Sequence, residues 1–297
     1  MRMALNKLYF LPLAVFVLLP ATFIITYVIS ILHRDVEVSF PYISDTGTYI
    51  PESCIFGQLL NIVACLIAAT VYVRYKQVEH YYQNHLGSES TQMLRLNMVG
   101  LCLGWAAALG ASLVANFQET AVIVVHMIGA TMAFGLGMIY TWLQTVISFY
   151  TCPLMNTKTV AGIRLFLSIV SMMCFIILNI TTPISLKYFH GKDTTKWDPK
   201  DGGFDAHVVS TVSEWILALA FDFYFLTFVR ELHDISMTSP KVIFLIQEMG
   251  MPTSGDIYRC DDNLEVASPQ SSRTVEPVSP REVISSVCSA TSQVIIQ

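Results

Sequence analysis

Six long apolar runs constrain this chain more than any other feature of it. They cover residues 8–32, 54–73, 96–115, 121–149, 160–184 and 208–229. A helix needs about 20 predominantly apolar residues to cross a bilayer, and in hydrocarbon every backbone N–H and C=O must find its partner within the segment, because no water is available. Each run is long enough, so the expected fold is all-α: a polytopic bundle of six transmembrane helices with short loops. The fourth run exceeds the required length and is expected to tilt or to project from the bilayer. Arg2 and Lys7 ahead of the first run resemble the start of a signal peptide. Its length exceeds that of an h-region, however, and no small-residue cleavage site follows, so it reads as an anchor.

Composition agrees. Only 13% of residues are charged, against about a quarter in soluble domains. A net charge of −5 with no basic patch argues against nucleic-acid binding. The seven cysteines are scattered without paired spacing, which argues against a disulfide framework or a metal site. No phosphate-cradling glycine loop, HExxH, nucleophile elbow or catalytic carboxylate pair is found. The expectation is a non-enzyme with no cofactor, and His33, His80 and His85 read as isolated loop histidines.

An even number of spans puts both termini on one side. Arg2, Lys7, Arg74, Lys76, Arg95, Lys158, Arg164 and Arg230 fall on that side, and Arg34, Lys187, Lys192, Lys196 and Lys200 on the other. Eight cations against five place the termini in the cytosol. Residues 1–235 then form the membrane domain, and 236–297, rich in Ser, Thr, Pro and acids, form a largely disordered cytosolic tail. The tail holds an apolar patch, VIFLI, and three Ser-Pro sites, Ser239, Ser268 and Ser279, which are candidates for proline-directed phosphorylation.

Between the first two spans runs PYISDTGTYIPESCIFG, residues 41–57. Pro41 fixes its own φ and should hold Phe40 extended. Ser44, Asp45, Thr46 and Gly47 have the composition of a turn, with Asp45 able to accept nearby amides and Gly47 free to take positive φ. Pro51 suits the first turn of a helix, and Glu52 complements the positive end of its dipole. A well-capped loop explains nearly all of this stretch without a ligand. Tyr42 completes the set of residues that give the stretch its character.

This stretch, with the following LNIVACLIAATVYVRYKQV, resembles the damage-regulated autophagy modulator family, six-span proteins related to the Frag/Sfk-type membrane proteins. VANFQETAVIVVH, GATMAFGLG, YTWLQTVIS, KWDPKDGGFDAHVVSTVSEW and FYFLTFVRE agree in order and spacing, so the resemblance spans residues 1–235. It implies a lysosomal or late-endosomal membrane protein that promotes autophagy, influences cell death, and works with membrane lipids and with autophagy or lysosomal proteins of unknown identity. A channel, carrier or lipid-handling protein is the alternative.

Ionisable residues inside a span are costly and need a reason. Glu214 and His126 lie at similar depths in spans running the same way, so they are expected to meet near the lumenal face with Asn116 and Gln118. A histidine there would titrate nearest the acidic range; the simpler reading is a satisfied helix-end pair. Asp222 lies deeper and is expected to bond Asn61, Gln144 or another buried group. Gly129, Gly135 and Gly137, with Ala130 and Ala133, give the fourth span a small-residue face suited to packing within the bundle, with a dimer face as the alternative. Arg74 and Lys76 are placed to touch anionic lipid or simply to fix topology. Trp215 suits an interfacial anchor. Cys152, beside Pro153, is a candidate for S-palmitoylation, with an ordinary juxtamembrane thiol the simpler reading.

Overall fold

A computed structural model describes residues 4–5, 7–85 and 91–238. The three Ser-Pro sites, the VIFLI patch and nearly all of the expected tail lie outside the described residues. All six apolar runs are helices long and apolar enough to span a membrane. They are α1 (Phe10–His33), α2 (Glu52–His85), α3 (Thr91–Asn116), a fourth span made of α4 (Ile123–Ala130) and α5 (Gly137–Tyr150), α6 (Lys158–Tyr188) and α7 (Phe204–Leu226). A short α8 (Val229–His233) follows α7. This is a multi-pass membrane protein.

Two-residue strands β1 (Ala4–Leu5) and β2 (Met237–Thr238) pair antiparallel, Ala4 opposite Thr238, and bring the two ends of the bundle together. We call that end the terminal face, and the end carrying residues 34–51, 117–122 and 189–203 the loop face. Helix ends are set locally: Arg34 adopts φ 62° to close α1, and Gly203 adopts φ 83° to open α7.

Burial follows the inverse logic of a membrane bundle, in which polar side chains find partners inside and apolar ones meet lipid. Thr22, Thr26 and Ser30, spaced four apart on α1, are buried, while Ile24, Val28 and Leu32 are exposed. The main core gathers residues of α1, α2, α3, α5 and α7, among them Val15, Val63, Leu101, Tyr140 and Tyr224. Helix α6 packs chiefly on α7 and α5.

The small-residue face of the fourth span packs within the bundle. A Cβ on Gly129 would lie 2.8 Å from the Cβ of Leu113, and one on Gly110 would lie 2.6 Å from the Gly129 carbonyl oxygen. The two backbones can approach so closely only because both residues lack side chains. Between α4 and α5, residues Thr131–Leu136 form a π-helical turn, a feature often found at functional sites. His33, His80 and His85 lie on helices rather than loops: His33 ends α1, and the other two belong to a second helix that runs 12 residues past its expected end at Val73.

Candidate functional site: a polar cluster under the first loop

The PYISDTG stretch folds onto the loop face as a set of hydrogen bonds to four other elements. Asp45 Oδ2 accepts the Tyr42 amide at 3.1 Å, so this acid does cap its own turn. The turn is a 3₁₀ helix, Asp45–Gly47, and all three residues are buried. Thr46 Oγ1 meets Thr26 Oγ1 of α1 at 3.0 Å. Ser44 Oγ donates to Glu119 at 3.0 Å, in the loop after α3. The Ile43 amide donates to Glu214 of α7 at 2.7 Å. The Tyr42 hydroxyl reaches Ser210 of α7 at 2.9 Å and Thr182 of α6 at 3.3 Å. Trp215 is not a free interfacial anchor: its Nε1 donates to the Pro41 carbonyl at 3.0 Å, which holds the loop down.

Two expectations about this loop change. Gly47 does not take positive φ; it is needed because a Cβ there would sit 2.5 Å from the Phe56 ring. Phe40 is not extended but adopts φ 47°. Pro51 immediately precedes α2, and Glu52 occupies its first turn, as the dipole argument requires. The Glu52 side chain is nevertheless fully buried, beside the Asp35 carboxyl.

The expected meeting of Glu214 and His126 becomes a shared site without a direct bond. Each lines the same two adjoining cavities. His126 Nδ1 lies 2.8 Å from the Phe117 carbonyl oxygen, and Nε2 lies 3.9 Å from Glu119. Asn116 belongs elsewhere: its amide bonds Asn61 and Ser112 between α2 and α3. Gln118 enters through its carbonyl, which accepts the amides of Ala121 and Val122. Asp222 meets neither Asn61 nor Gln144, since Asn61 is held by Asn116 and Ser112 while Gln144 accepts from Arg74. Its Oδ1 is buried with no partner among the described residues.

Glu119 was not anticipated, although it lies between Gln118 and the fourth span and turns the pair into a cluster. Burial pushes the Asp45 carboxyl well above its usual range, Glu119 and Glu214 raise it further, and only the Tyr42 amide opposes them. Burial also raises the Tyr42 hydroxyl, against the lowering effect of its bonds to Ser210 and Thr182. Among the described residues no group of three or more His, Cys, Asp or Glu is arranged to hold a metal ion.

A second network, near the terminal face, was also missed. Arg74 is fully buried and therefore not a lipid contact. It donates to Glu231 of α8, to Gln77 at 2.8 Å and to Gln144 at 3.2 Å. Arg164 of α6, equally buried, pairs with the same Glu231 at 2.7 Å and donates to Ser148 at 2.7 Å and Thr227 at 2.9 Å. The Phe228 ring lies under both guanidinium groups, at 5.3 and 4.4 Å. A signal was present in the sequence: one acid at the end of the last span faces two cations at the same end of their spans. Both arginines were counted among the flanking cations, so that count is reduced by two. Lys76 is partly exposed and pairs with Glu79 at 2.7 Å. Cys152 is half-buried in the turn after α5.

Residues 7–235 match a family model described as the Frag1/DRAM/Sfk1/Cwh43P N-terminal domain. The chain belongs to this family. Among curated relatives, DNA damage-regulated autophagy modulator protein 2 of Bos taurus is 41% identical over 233 residues, which is 77% of this chain and 86% of that protein. DNA damage-regulated autophagy modulator protein 1 of Mus musculus is 42% identical over 233 residues, covering 78% of this chain and 94% of that protein. A zebrafish (Danio rerio) relative named Modulator of macroautophagy TMEM150B is 32% identical over 211 residues, or 70% and 78% of the two chains. No solved structure matches. The matched region of this Frag1/DRAM/Sfk1 member holds both polar networks, so each belongs to the shared domain rather than to residues 236–297.

Proposed function

We propose that this protein promotes autophagy from the lysosomal or late-endosomal membrane and influences cell death there, with both termini in the cytosol and the PYISDTG loop facing the lumen. The observation that carries the reading is identity near 40%, over more than three quarters of the chain, with relatives named as autophagy modulators. In this reading the protein works by binding rather than by covalent chemistry. The loop face is the lumenal recognition surface, while Lys76 meets anionic lipid and residues 236–297 meet cytosolic autophagy or lysosomal proteins. Acylation at Cys152 and phosphorylation at Ser239, Ser268 or Ser279 would adjust the cytosolic contacts.

The test is localisation of a tagged full-length chain together with autophagic flux after its loss. Lysosomal signal and reduced flux support the reading; plasma-membrane signal with unchanged flux overturns it. Ionisable residues lining internal cavities favour transport as the second reading. Proteoliposome flux that persists after Asp222, Glu214 and His126 are replaced together would count against their serving as its route.

A further inference from the structure

Two adjoining chambers lie inside the bundle, the inner one reaching toward the terminal face, and share a wall of Ser44, His126, Ala130, Phe134 and Glu214. The inner one, about 120 Å³, is walled by α1, α2, α3, the fourth span and α7, and its lining is almost entirely apolar. Besides Thr141 and the polar residues of the shared wall, two buried groups without partners among the described residues interrupt it. Asp222 is 2% exposed with Oδ1 unpartnered among the described residues, and Tyr140 is 2% exposed with its hydroxyl likewise unpartnered. The outer chamber, about 410 Å³, is a groove between α4 and α6. On its two banks Ile123 and Met127, and Asn179 and Leu186, are exposed on helices long and apolar enough to cross a membrane. Together the chambers fall within the range of about 300–1,000 Å³ usual for small-molecule sites.

Asp45, Glu119 and Glu214 lie along the groove with His126, Asp222 lies inside, and among the described residues no Lys or Arg lines either chamber. The groove acids already have partners, Tyr42, Ser44 and Ile43. Asp222 has none at Oδ1, and a buried carboxylate without a partner is costly to maintain. The aromatic rings of Phe134, Phe221, Phe225 and Tyr140 line the same chamber, and their faces favour a cation over an anion.

We propose that the inner chamber binds an amphiphilic amine drawn from the bilayer, a hydrocarbon chain bearing one protonated amino group, with Asp222 as its counter-ion. The chain enters sideways through the groove between α4 and α6, and its tail remains there against Met127, Phe175 and Leu178. The ammonium donates to Asp222 Oδ1 among the aromatic rings. The Tyr140 hydroxyl offers a second contact to a hydroxyl or carbonyl beside the amine. Small residues at Ala107, Ala111, Ala130 and Ala133 leave the room the chain needs. This site does not depend on the autophagy reading, and either can fail without the other.

The test uses the full-length chain in lipid nanodiscs and radiolabelled dodecylamine, with dodecanol and butylamine as competitors. Saturable dodecylamine binding is expected, displaced at least tenfold more weakly by either competitor, since one lacks the charge and the other the chain. Asp222→Asn should weaken binding at least tenfold, and Tyr140→Phe by less. Asp222→Asn removes an uncompensated charge and keeps the shape, so it should melt no lower than the wild type; dodecylamine should raise the melting temperature of the wild type only. Ala218→Leu, which fills the chamber and keeps the acid, should also weaken binding, and it serves as the second variant should Asp222→Asn fail to fold. Absence of saturable binding, equal displacement by either competitor, or undiminished binding by both Asp222→Asn and Ala218→Leu would overturn the proposal.

Discussion

Replacing Glu231 with alanine removes the one acid, among the described residues, that pairs with two buried guanidinium groups. The Arg74 and Arg164 side chains have no exposed surface, and that of Glu231 is 4% exposed, so solvent and salt screen the triad little. A surface pair would be worth about 0–1 kcal/mol. Breaking a buried pair from one side costs about 3–5 kcal/mol, because the remaining charge is left uncompensated. Here the cations keep neutral partners, Gln77, Gln144, Ser148 and Thr227, which places the expected loss at the lower end, about 3 kcal/mol. That is roughly a hundredfold in the folded-to-unfolded ratio, at about 1.4 kcal/mol per factor of ten. The assay is reversible unfolding of the purified protein in mixed micelles, followed by intrinsic fluorescence, at low and high salt. Glu231→Gln should fall within about 1 kcal/mol of Glu231→Ala, since it is the charge the arginines lose. A glutamine variant with wild-type stability would refute the electrostatic argument and assign the triad to neutral hydrogen bonding. A loss that disappeared in high salt would show the triad to be solvated.

Gly47→Ala brings a methyl group against the Phe56 ring and should cost about 1–3 kcal/mol, the usual range for overpacking; Phe56→Leu in the same chain should recover part of it, as read by melting temperature. Gly110→Ala, whose new methyl meets backbone of the fourth span, should cost at least as much without rescue by any single side-chain truncation, read by the same measurement. The folded state holds the Asp45 carboxyl above the ordinary aspartate value, about 3.9 unfolded. Between those values the native chain binds more protons than the unfolded one, so this group's contribution falls as pH rises through the window and is most favourable at acid pH. Melting from pH 7 down to pH 4.5 should therefore show a gain that Asp45→Asn reduces; equal slopes would refute it. Cysteines introduced singly beyond β1 and β2 should be labelled from the same side of sealed vesicles, as the strand pairing requires, and labelling from opposite sides would refute the topology.

The spans were legible because hydrocarbon imposes its requirement on every residue of a segment, so the signal accumulates over 20 positions. The boundaries were less so. Helix α2 continues 12 residues beyond Val73, where Arg74, Gln77 and Tyr75 are polar enough to read as an end yet find partners in α3, α5 and α8. The turn chemistry of Asp45 was readable because its bond to the Tyr42 amide is local. The reason for Gly47 was not, because the ring it makes room for belongs to α2. His126 and Glu214 line the same cavities, and similar depth along their helices follows from counting residues. Facing was another matter, since rotation about each helix axis decided that both would line the cavities while Asn116 turned toward Asn61.

What the amino-acid order settled alone was periodic or local: six crossings, the run of turn residues between the first two, and the resemblance carried by contiguous stretches. Which buried charges meet which partners was left to the packed bundle. Arg74 and Glu231 lie 157 positions apart, and Ile43 and Glu214 lie 171 apart. A polar residue within a span announces only that it must be satisfied. The helix that satisfies it is chosen by how neighbouring surfaces interlock, here by the close approach of Gly110 and Gly129 and the gap left between α4 and α6.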